Sequence, residues 1–304
     1  MSNLNFYKIY GLKIKSEIEL HPSLLINNNS EFYDAEILIS NDITSNIDDS
    51  NTYHIGNFSF SDNFASFLID NVGYYQITNG NKILINPCRD SDIEEVRKFT
   101  LGSALGLLLF QRNIVAIHGG AISINENGII VSGNIGAGKT TTIASLINKG
   151  HRFLSDDISA ITKCSDGKYS INSCIPHQKL CKSTAEMLGY DTSKLFLIDK
   201  TKNKYYSPEI SNFTTEPSNL KALFYLTITN NDEISYEKIE GAEKLNIILS
   251  NIFRKEYLTN KLFKPLFIKE CINVSKNISI YKLNRPKNRN SLDQIVSIIE
   301  KLSE

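Results

Sequence analysis

One run of residues constrains this chain more than any other: Gly133-Asn134-Ile135-Gly136-Ala137-Gly138-Lys139-Thr140, which fits the spacing GxxxxGK[ST] and continues into Thr141 and Thr142. Gly128-Ile129-Ile130-Val131-Ser132 before it is short, apolar and β-branched, the character of a strand, and Thr140 to Asn148 after it reads as a helix. Strand, glycine-rich turn and helix in that order are the context in which this spacing cradles phosphate, and they put the chain in the α/β class. Gly133, Gly136 and Gly138 let the backbone turn with its amides aimed inward, where side chains would block an anion, and the helix presents its positive end to the same point. Lys139 is then placed to bridge β- and γ-phosphates, and the Thr140 hydroxyl to ligate magnesium. The nucleotide-contacting set expected from the motif is Gly133, Asn134, Ile135, Gly136, Ala137, Gly138, Lys139, Thr140 and Thr141.

Two carboxylates narrow the chemistry. A helix of about three turns, followed by a turn at Lys149-Gly150, brings the next strand alongside. That strand is His151 to Ser155, with Asp156-Asp157 at its end. Carboxyl ends of strands line the ligand crevice of open α/β sheets, which puts both acids within reach of the γ-phosphate and its metal. No later segment shows four apolar residues followed by Asp, the arrangement of many hydrolysing ATPases. An acid this close after the loop suits a kinase, in which a carboxylate takes the proton of an acceptor hydroxyl as the phosphoryl group arrives. Ile114-Val115-Ala116-Ile117-His118-Gly119-Gly120 adds a short strand ending in His-Gly-Gly.

Read together, AIHGGAISINENGIIVSGNIGAGKTTTIASLINKGHRFLSDDISAI resembles the catalytic core of the HPr kinase family. The shared order is His-Gly, a two-stranded hairpin, the glycine loop, a helix, a Gly-His turn and a hydrophobic run into Asp-Asp. The resemblance implies a P-loop core of the HPr kinase and phosphoenolpyruvate carboxykinase type, a mixed sheet with helices. It also implies that Asp156 acts as base towards a seryl hydroxyl, that His118 tunes it, that Lys139 serves the catalytic step, and that Asp157 with Thr140 holds the metal. The family's EIRG-like segment is not found after Ser159. The rest of the chain, through YGLKIKSEIELHP, IPHQKLCKSTAEMLG and ISIYKLNRP, is similar to HPr-kinase-related proteins of lasso-peptide and other ribosomal-peptide biosynthesis. ATP and Mg2+ are the implied cofactors, with pyrophosphate or another nucleotide open as donor, and the implied partner is a peptide or protein carrying an acceptor serine. Two other functions stay open: a kinase of small-molecule hydroxyls, and a non-catalytic nucleotide-binding sensor or assembly module.

Composition excludes little but usefully. The 304 residues, 41% of them hydrophobic, can bury a sizeable core. Lys plus Arg and Asp plus Glu number 33 each, so no nucleic-acid surface or polybasic membrane anchor is expected, and the basic stretches 200–204 and 285–289 read as solvated faces, with contact to phosphate the alternative for either. Five scattered cysteines without a CxxC pair, and an N-terminus without signal-peptide character, point to a reducing cytoplasm. Homo-oligomerisation is left open.

Along the chain, residues 1–90 read as a β-rich meander that covers the core or docks substrate, and 91–304 as the catalytic domain. Strands are expected at 12–20, 35–39, 53–60, 64–70, 73–78 and 82–86, with a hairpin turn at Asn79-Gly80. Ser91 and Glu94 form a capping box for one long helix to Phe110. The polar segment 191–218 reads as an irregular connection and a candidate lid. A strand at 220–229, a helix at 242–257, a strand at 278–283 and a helix at 291–302, capped by Ser291 and Gln294, complete the pattern. Arg254 and Lys204 are candidate cations for the transferring phosphate, with a surface role the alternative.

Overall fold

Alternation in Leu12-Lys13-Ile14-Lys15-Ser16 is what a half-buried strand requires, and Leu12, Ile14 and Ser16 are buried while Lys13 is exposed. The computed structural model describes residues 4–27, 32–43, 52–61, 63–199, 202–255 and 264–304. Two compact units result: Met1–Val115 with Arg254–Ile268, and Ala116–Phe253 with Lys269–Glu304. The helical region after residue 91 therefore belongs with the β-rich unit, and not with the region that carries the glycine loop.

The first unit holds β1 (Asn5–Ile9), β2 (Leu12–Ser16), β3 (Ala35–Ile39), β4 (Tyr53–Ile55), β5 (Phe58–Ser61), β6 (Phe64–Ile69), β7 (Gly73–Thr78) and β8 (Lys82–Pro87). They form one sheet in the order β1-β2-β3-β8-β7-β6-β5-β4. It is not a simple meander, because β3 pairs parallel with both β2 and β8. The expected single strand 53–60 is a hairpin, broken at Gly56, whose φ of 57° turns the chain. Asn79 and Gly80 both take positive φ, and the Asn81 amide closes the turn on the Thr78 carbonyl at 3.1 Å, leaving three residues between the paired strand ends Thr78 and Lys82.

The long helix predicted after Ser91 is interrupted. It comprises α1 (Ile93–Phe99), a π-helical stretch Thr100–Ala104 and α2 (Leu105–Gln111). Thr100 Oγ1 donates back to the Val96 carbonyl at 2.7 Å, which competes with regular α pairing at the junction. Its cap is Asp92, whose carboxylate accepts from the Glu94 amide at 2.9 Å, and not Ser91, which sits in a turn on the Cys88 carbonyl.

The second unit runs β9 (Val115–Ile124), β10 (Asn127–Gly133), α3 (Lys139–Asn148), β11 (Arg152–Ser155), β12 (Ile158–Lys163), β13 (Tyr169–Asn172), β14 (Lys179–Cys181) and α4 (Lys182–Met187). It continues with β15 (Leu197–Asp199), β16 (Lys204–Tyr206), β17 (Ser218–Thr229), β18 (Ser235–Ile239), α5 (Ala242–Ser250), α6 (Pro265–Asn277, which begins within the first unit), β19 (Ser279–Pro286) and α7 (Leu292–Ser303). Its main sheet is mixed, in the order β10-β9-β12-β13-β17-β19-β18, with β11 on β9. Because β17 also pairs with β10, strands β10, β9, β12, β13 and β17 close into a ring. Ile129, Ile130 and Val131 of β10 are fully buried, which is why that strand reads as a continuous apolar run.

Segment 191–218 is not the irregular connection its polarity suggests. Among its described residues, β15 and β16 join β14 in a three-stranded sheet. Further on, the Phe153 amide donates to Asn212 O at 3.0 Å and the Thr214 amide to Phe153 O at 3.0 Å, fastening the segment to β11. The helix expected at 242–257 ends at Ser250, and 256–257 lie outside the described residues. No helix among the described residues is long and apolar enough to cross a membrane, which says nothing of a β-barrel.

Helix α7 backs the glycine-loop helix: Ile295, Val296 and Ile299 share one buried cluster with Ile143 and Leu146. Its start is held by Asn290 Oδ1 accepting from the Leu292 amide at 3.1 Å, while the Ser291 side chain makes no capping bond and Gln294 engages Arg289. At its other end Glu300 accepts from Lys149 Nζ at 2.6 Å and His151 Nε2 at 2.9 Å. Burial opposes ionisation of Glu300, but these two partners outweigh it and hold the carboxyl below its ordinary range. A depressed folded-state value means stabilisation that is present above the unfolded value of about 4.3 and lost as pH falls through the folded one. Glu300→Gln is therefore expected to cost up to about 1 kcal/mol at neutral pH in urea denaturation, since the pair is part-exposed. The difference from the native protein should vanish in acid; a difference that persisted there would point to packing and not charge.

Candidate active site

Strand β10 leaves the sheet at Gly133, where φ is 145° and a Cβ would collide with the Leu226 carbonyl oxygen of β17. Only glycine passes this point without moving a neighbouring backbone. Gly136 and Gly138 follow at φ 78° and 97°, and Gly138 stands at the N-cap of α3 with no side chain to occupy the helix terminus. The first-turn amides of that helix lack intrahelical acceptors and carry its positive dipole end. Inside the loop, the Ala137 amide donates to Asn134 O at 3.1 Å and Ala137 is buried, whereas Ile135 at the tip is 96% exposed.

Two cations hold the loop by its carbonyls. Lys139 Nζ donates to Gly133 O at 2.9 Å and Asn134 O at 3.2 Å. Arg285 of β19 donates through Nε to Ala137 O at 2.7 Å and through Nη2 to Gly136 O at 3.0 Å. Tyr225 hydroxyl adds a bond to Asn134 Oδ1 at 3.1 Å. Burial lowers the Lys139 ammonium from its ordinary range, with Asp157 opposing and Lys204 adding to the shift. Downstream, Gln178 Nε2 donates to Thr140 O at 3.3 Å, and the Thr141 and Thr184 hydroxyls lie 3.3 Å apart.

The acid pair sits at the same end of the sheet. Strands β10 and β11 are each antiparallel to β9, so they run in one direction with β9 between them. Adjacent residues of an extended strand point to opposite faces. Asp157 departs from extended backbone, with φ 52° in the left-handed region, and both acids reach one residue, Lys179. The Lys179 amide donates to Asp156 Oδ2 at 2.9 Å, and its ammonium lies 2.9 Å from Asp157 Oδ2. A non-glycine residue in that region costs on the order of 1–3 kcal/mol and persists only where surroundings enforce it. Here the Asp157 carbonyl accepts from the Gly119 amide at 3.1 Å and contacts His118 Nδ1 at 3.1 Å.

That second contact fixes a tautomer. A carbonyl oxygen only accepts, so His118 Nδ1 carries the proton and Nε2 is left as the acceptor of the neutral ring. His118 is itself held through its amide, which donates to Asn251 O at 2.7 Å, and its carbonyl, which accepts from Ser132 Oγ at 2.7 Å. Burial lowers the His118 imidazolium range, Asp157 opposes and Lys139 adds to the lowering.

Electrostatics separate the two carboxyls. Asp156 is pushed above the ordinary carboxylate range, by burial first and then by the neighbouring Asp157 charge. Burial also opposes ionisation of Asp157, but Lys179, with Lys204 and His118, outweighs it and holds Asp157 well below the carboxylate range. Lys179 is raised in turn: burial lowers it, and Asp157 more than reverses that. Two neighbouring acids whose proton affinities are driven apart in this way can take different parts in proton transfer and charge stabilisation.

His118, Lys139, Asp156 and Asp157 are thus brought together, and Lys204 of β16 joins them by charge. Lys200 lies outside the described residues. Arg254, the other expected cation, belongs to the first unit, where its Nη2 donates to Ser103 Oγ at 3.0 Å and its guanidinium covers the Phe58 ring. His118 bonds the main chain of Asp157, not the Asp156 carboxylate. Lys179 and Arg285 were not singled out by sequence. Arg285 opens a basic run whose leading reading is a solvated face, with phosphate contact as the alternative, and no local pattern marks Lys179.

A mixed α/β unit with a glycine-rich loop at the start of a helix, and an acid pair two strands away at the same end of the sheet, is the class this geometry defines. Residues 111–181 match the HPr Serine kinase C-terminal domain family, a stretch that contains His118, the loop, both aspartates and Lys179. The HPr kinase/phosphorylase of Lachnoclostridium phytofermentans is 38% identical over 52 residues, 17% of each chain. That of Treponema pallidum is 40% identical over 53 residues, 17% of this chain and 16% of its own. The chain thus spans about a sixth of the length of the curated relatives it matches. The structure of the Hpr(Ser) kinase/phosphatase from Coxiella burnetii aligns at 11% identity with a TM-score of 0.32, covering 61% of this chain and 88% of that one.

The three glycines are not equivalent. Gly133→Ala is expected to destabilise the protein by more than about 2 kcal/mol in urea denaturation, because backbone must move. Gly136→Ala, whose Cβ would meet nothing within 4 Å, should cost only left-handed strain, about 1 kcal/mol. Equal losses at the two positions would contradict the strand-exit geometry.

Proposed function

We propose that this protein is an ATP- and magnesium-dependent kinase that phosphorylates a serine hydroxyl of a peptide or protein. The observation that carries the reading is Asp156, a carboxyl with a raised proton affinity at the end of β11, on the same sheet end as the glycine loop. The match of residues 111–181 to the HPr Serine kinase C-terminal domain family supports it.

The residues present fit the groups this reading requires. Gly138 leaves the α3 terminus uncapped for an anion, and the Thr140 hydroxyl and Asp157 carboxylate are hard oxygen donors of the kind magnesium takes. Magnesium, when bound, would neutralise charge on the phosphates. Lys139 exchanges the Gly133 and Asn134 carbonyls for β- and γ-phosphate oxygens, while Arg285 keeps the loop in shape from its other side. Asp156 takes the proton of the acceptor hydroxyl as that oxygen bonds to the γ-phosphorus and the bond to the ADP leaving group breaks. His118, protonated at Nδ1, fixes the turn that carries both acids. For the acceptor we favour a precursor of ribosomal-peptide biosynthesis, on the resemblance carried by YGLKIKSEIELHP, IPHQKLCKSTAEMLG and ISIYKLNRP.

Mass spectrometry of serine-containing peptides incubated with protein, ATP and magnesium tests the transfer. Asp156→Asn is expected to lower the rate by about 10²–10⁴-fold, the range of a lost general base, while ATP affinity measured by calorimetry holds. Full transfer by that variant would remove Asp156 from the base role. Lys139→Ala should weaken ATP binding itself, and unchanged affinity would count against the cradle.

A further inference from the structure

Among the described residues, Lys179 is the one that bonds both acid side chains, and it does so with two different groups. Its position is set by strand pairing: β14 runs antiparallel to β16, with Lys179 opposite Tyr206 and Cys181 opposite Lys204. The amide therefore reaches Asp156 from a fixed backbone, while the side chain, 23% exposed, turns to an Asp157 side chain that is 30% exposed. Lys139 and Lys204 also act on the pair by charge, but among the described residues only Lys179 is in ion-pair contact with Asp157.

Resting on the reading of Asp157 as a metal ligand, we propose that Lys179 is the internal counter-cation of the acid pair: it holds the two carboxylates and sets, by competition, how tightly they take a divalent cation. A divalent ion ligated by carboxylate oxygen stands about 2.0–2.6 Å from it. An ammonium 2.9 Å from that oxygen would then face a double positive charge a few ångströms away. Lys179 has to withdraw before such an ion binds, and its four-carbon stem allows this without moving the amide that holds Asp156. Lys179 thus keeps the pair ordered and charge-balanced without a metal, at the expense of metal affinity.

The test is Mn2+ binding to the full chain, read by electron paramagnetic resonance without nucleotide, so that it is independent of turnover. Lys179→Met, which keeps the stem and removes the charge, is expected to bind Mn2+ at least about tenfold more tightly than the native protein. Lys179→Gln should behave likewise if the Met variant folds poorly, as judged by its melting curve. Lys179→Arg should stay near native affinity, and Asp157→Asn should lose the site. Unchanged or weaker binding by the neutral variants, or native affinity in Asp157→Asn, overturns the proposal. Absence of phosphoryl transfer by the native protein would instead remove the kinase reading and leave the Mn2+ comparison standing.

Discussion

The close approach of β9 to its neighbours is the constraint on which the site depends. A Cβ at Gly119 would lie 2.6 Å from the Val131 carbonyl of β10, and one at Gly120 would lie 2.8 Å from Ile143 of α3. Two successive glycines therefore let β9 slide between the strand that feeds the loop and the helix that leaves it. With β9 seated there, β11 pairs on its other edge and its end comes out beside the loop. The same strand carries His118 and the Gly119 amide, the two groups that hold Asp157 in its left-handed turn. His-Gly-Gly is thus a packing device and a site element at once, which explains why so short a motif sits beside the two others.

Charge balance is the second dependency. Asp156 and Asp157 are neighbours, and their mutual repulsion in a part-buried place is unfavourable unless something offsets it. Lys179, Lys204 and Lys139 do so unequally. The ion pair falls on Asp157, whose proton affinity is lowered, while the Asp156 carboxyl accepts a hydrogen bond from the Lys179 amide and keeps a raised proton affinity. The difference between the carboxyls is built by which of them Lys179 meets with its ammonium and which with its backbone.

What sequence disclosed follows contact distance along the chain. The glycine loop, its strand and helix, and the acids after β11 lie between residues 127 and 157, and each is specified by local spacing and an apolar run. The Asn79-Gly80 turn was legible for the same reason. Lys179 contacts Asp156 across 23 positions and Arg285 contacts Ala137 across 148, and both depend on strand pairings that no local pattern encodes. The parallel placement of β3 escaped because alternation marks a strand's faces but not its partner. The two capping boxes misled at the level of single residues: Asp92 and Asn290, each adjacent to the expected cap, supply the bonds.

The loop's two cations divide the work. Lys139 and Arg285 both bind loop carbonyls, but Lys139 is on α3, the helix that leaves the loop, whereas Arg285 comes from β19, ordered by eight register pairs with β17. In the kinase proposed above, Lys139 would release Gly133 and Asn134 to meet a phosphate, which requires that the loop keep its shape when they are let go. Arg285, joined to Gly136 and Ala137, supplies that persistence, because its two donors fix both position and tilt of the peptide units. Arg285 lies about a hundred residues beyond the stretch shared with the HPr Serine kinase C-terminal domain family. The cradle is therefore completed by a strand outside the recognisable core, and its rigidity is a property of the whole second unit, not of the motif alone.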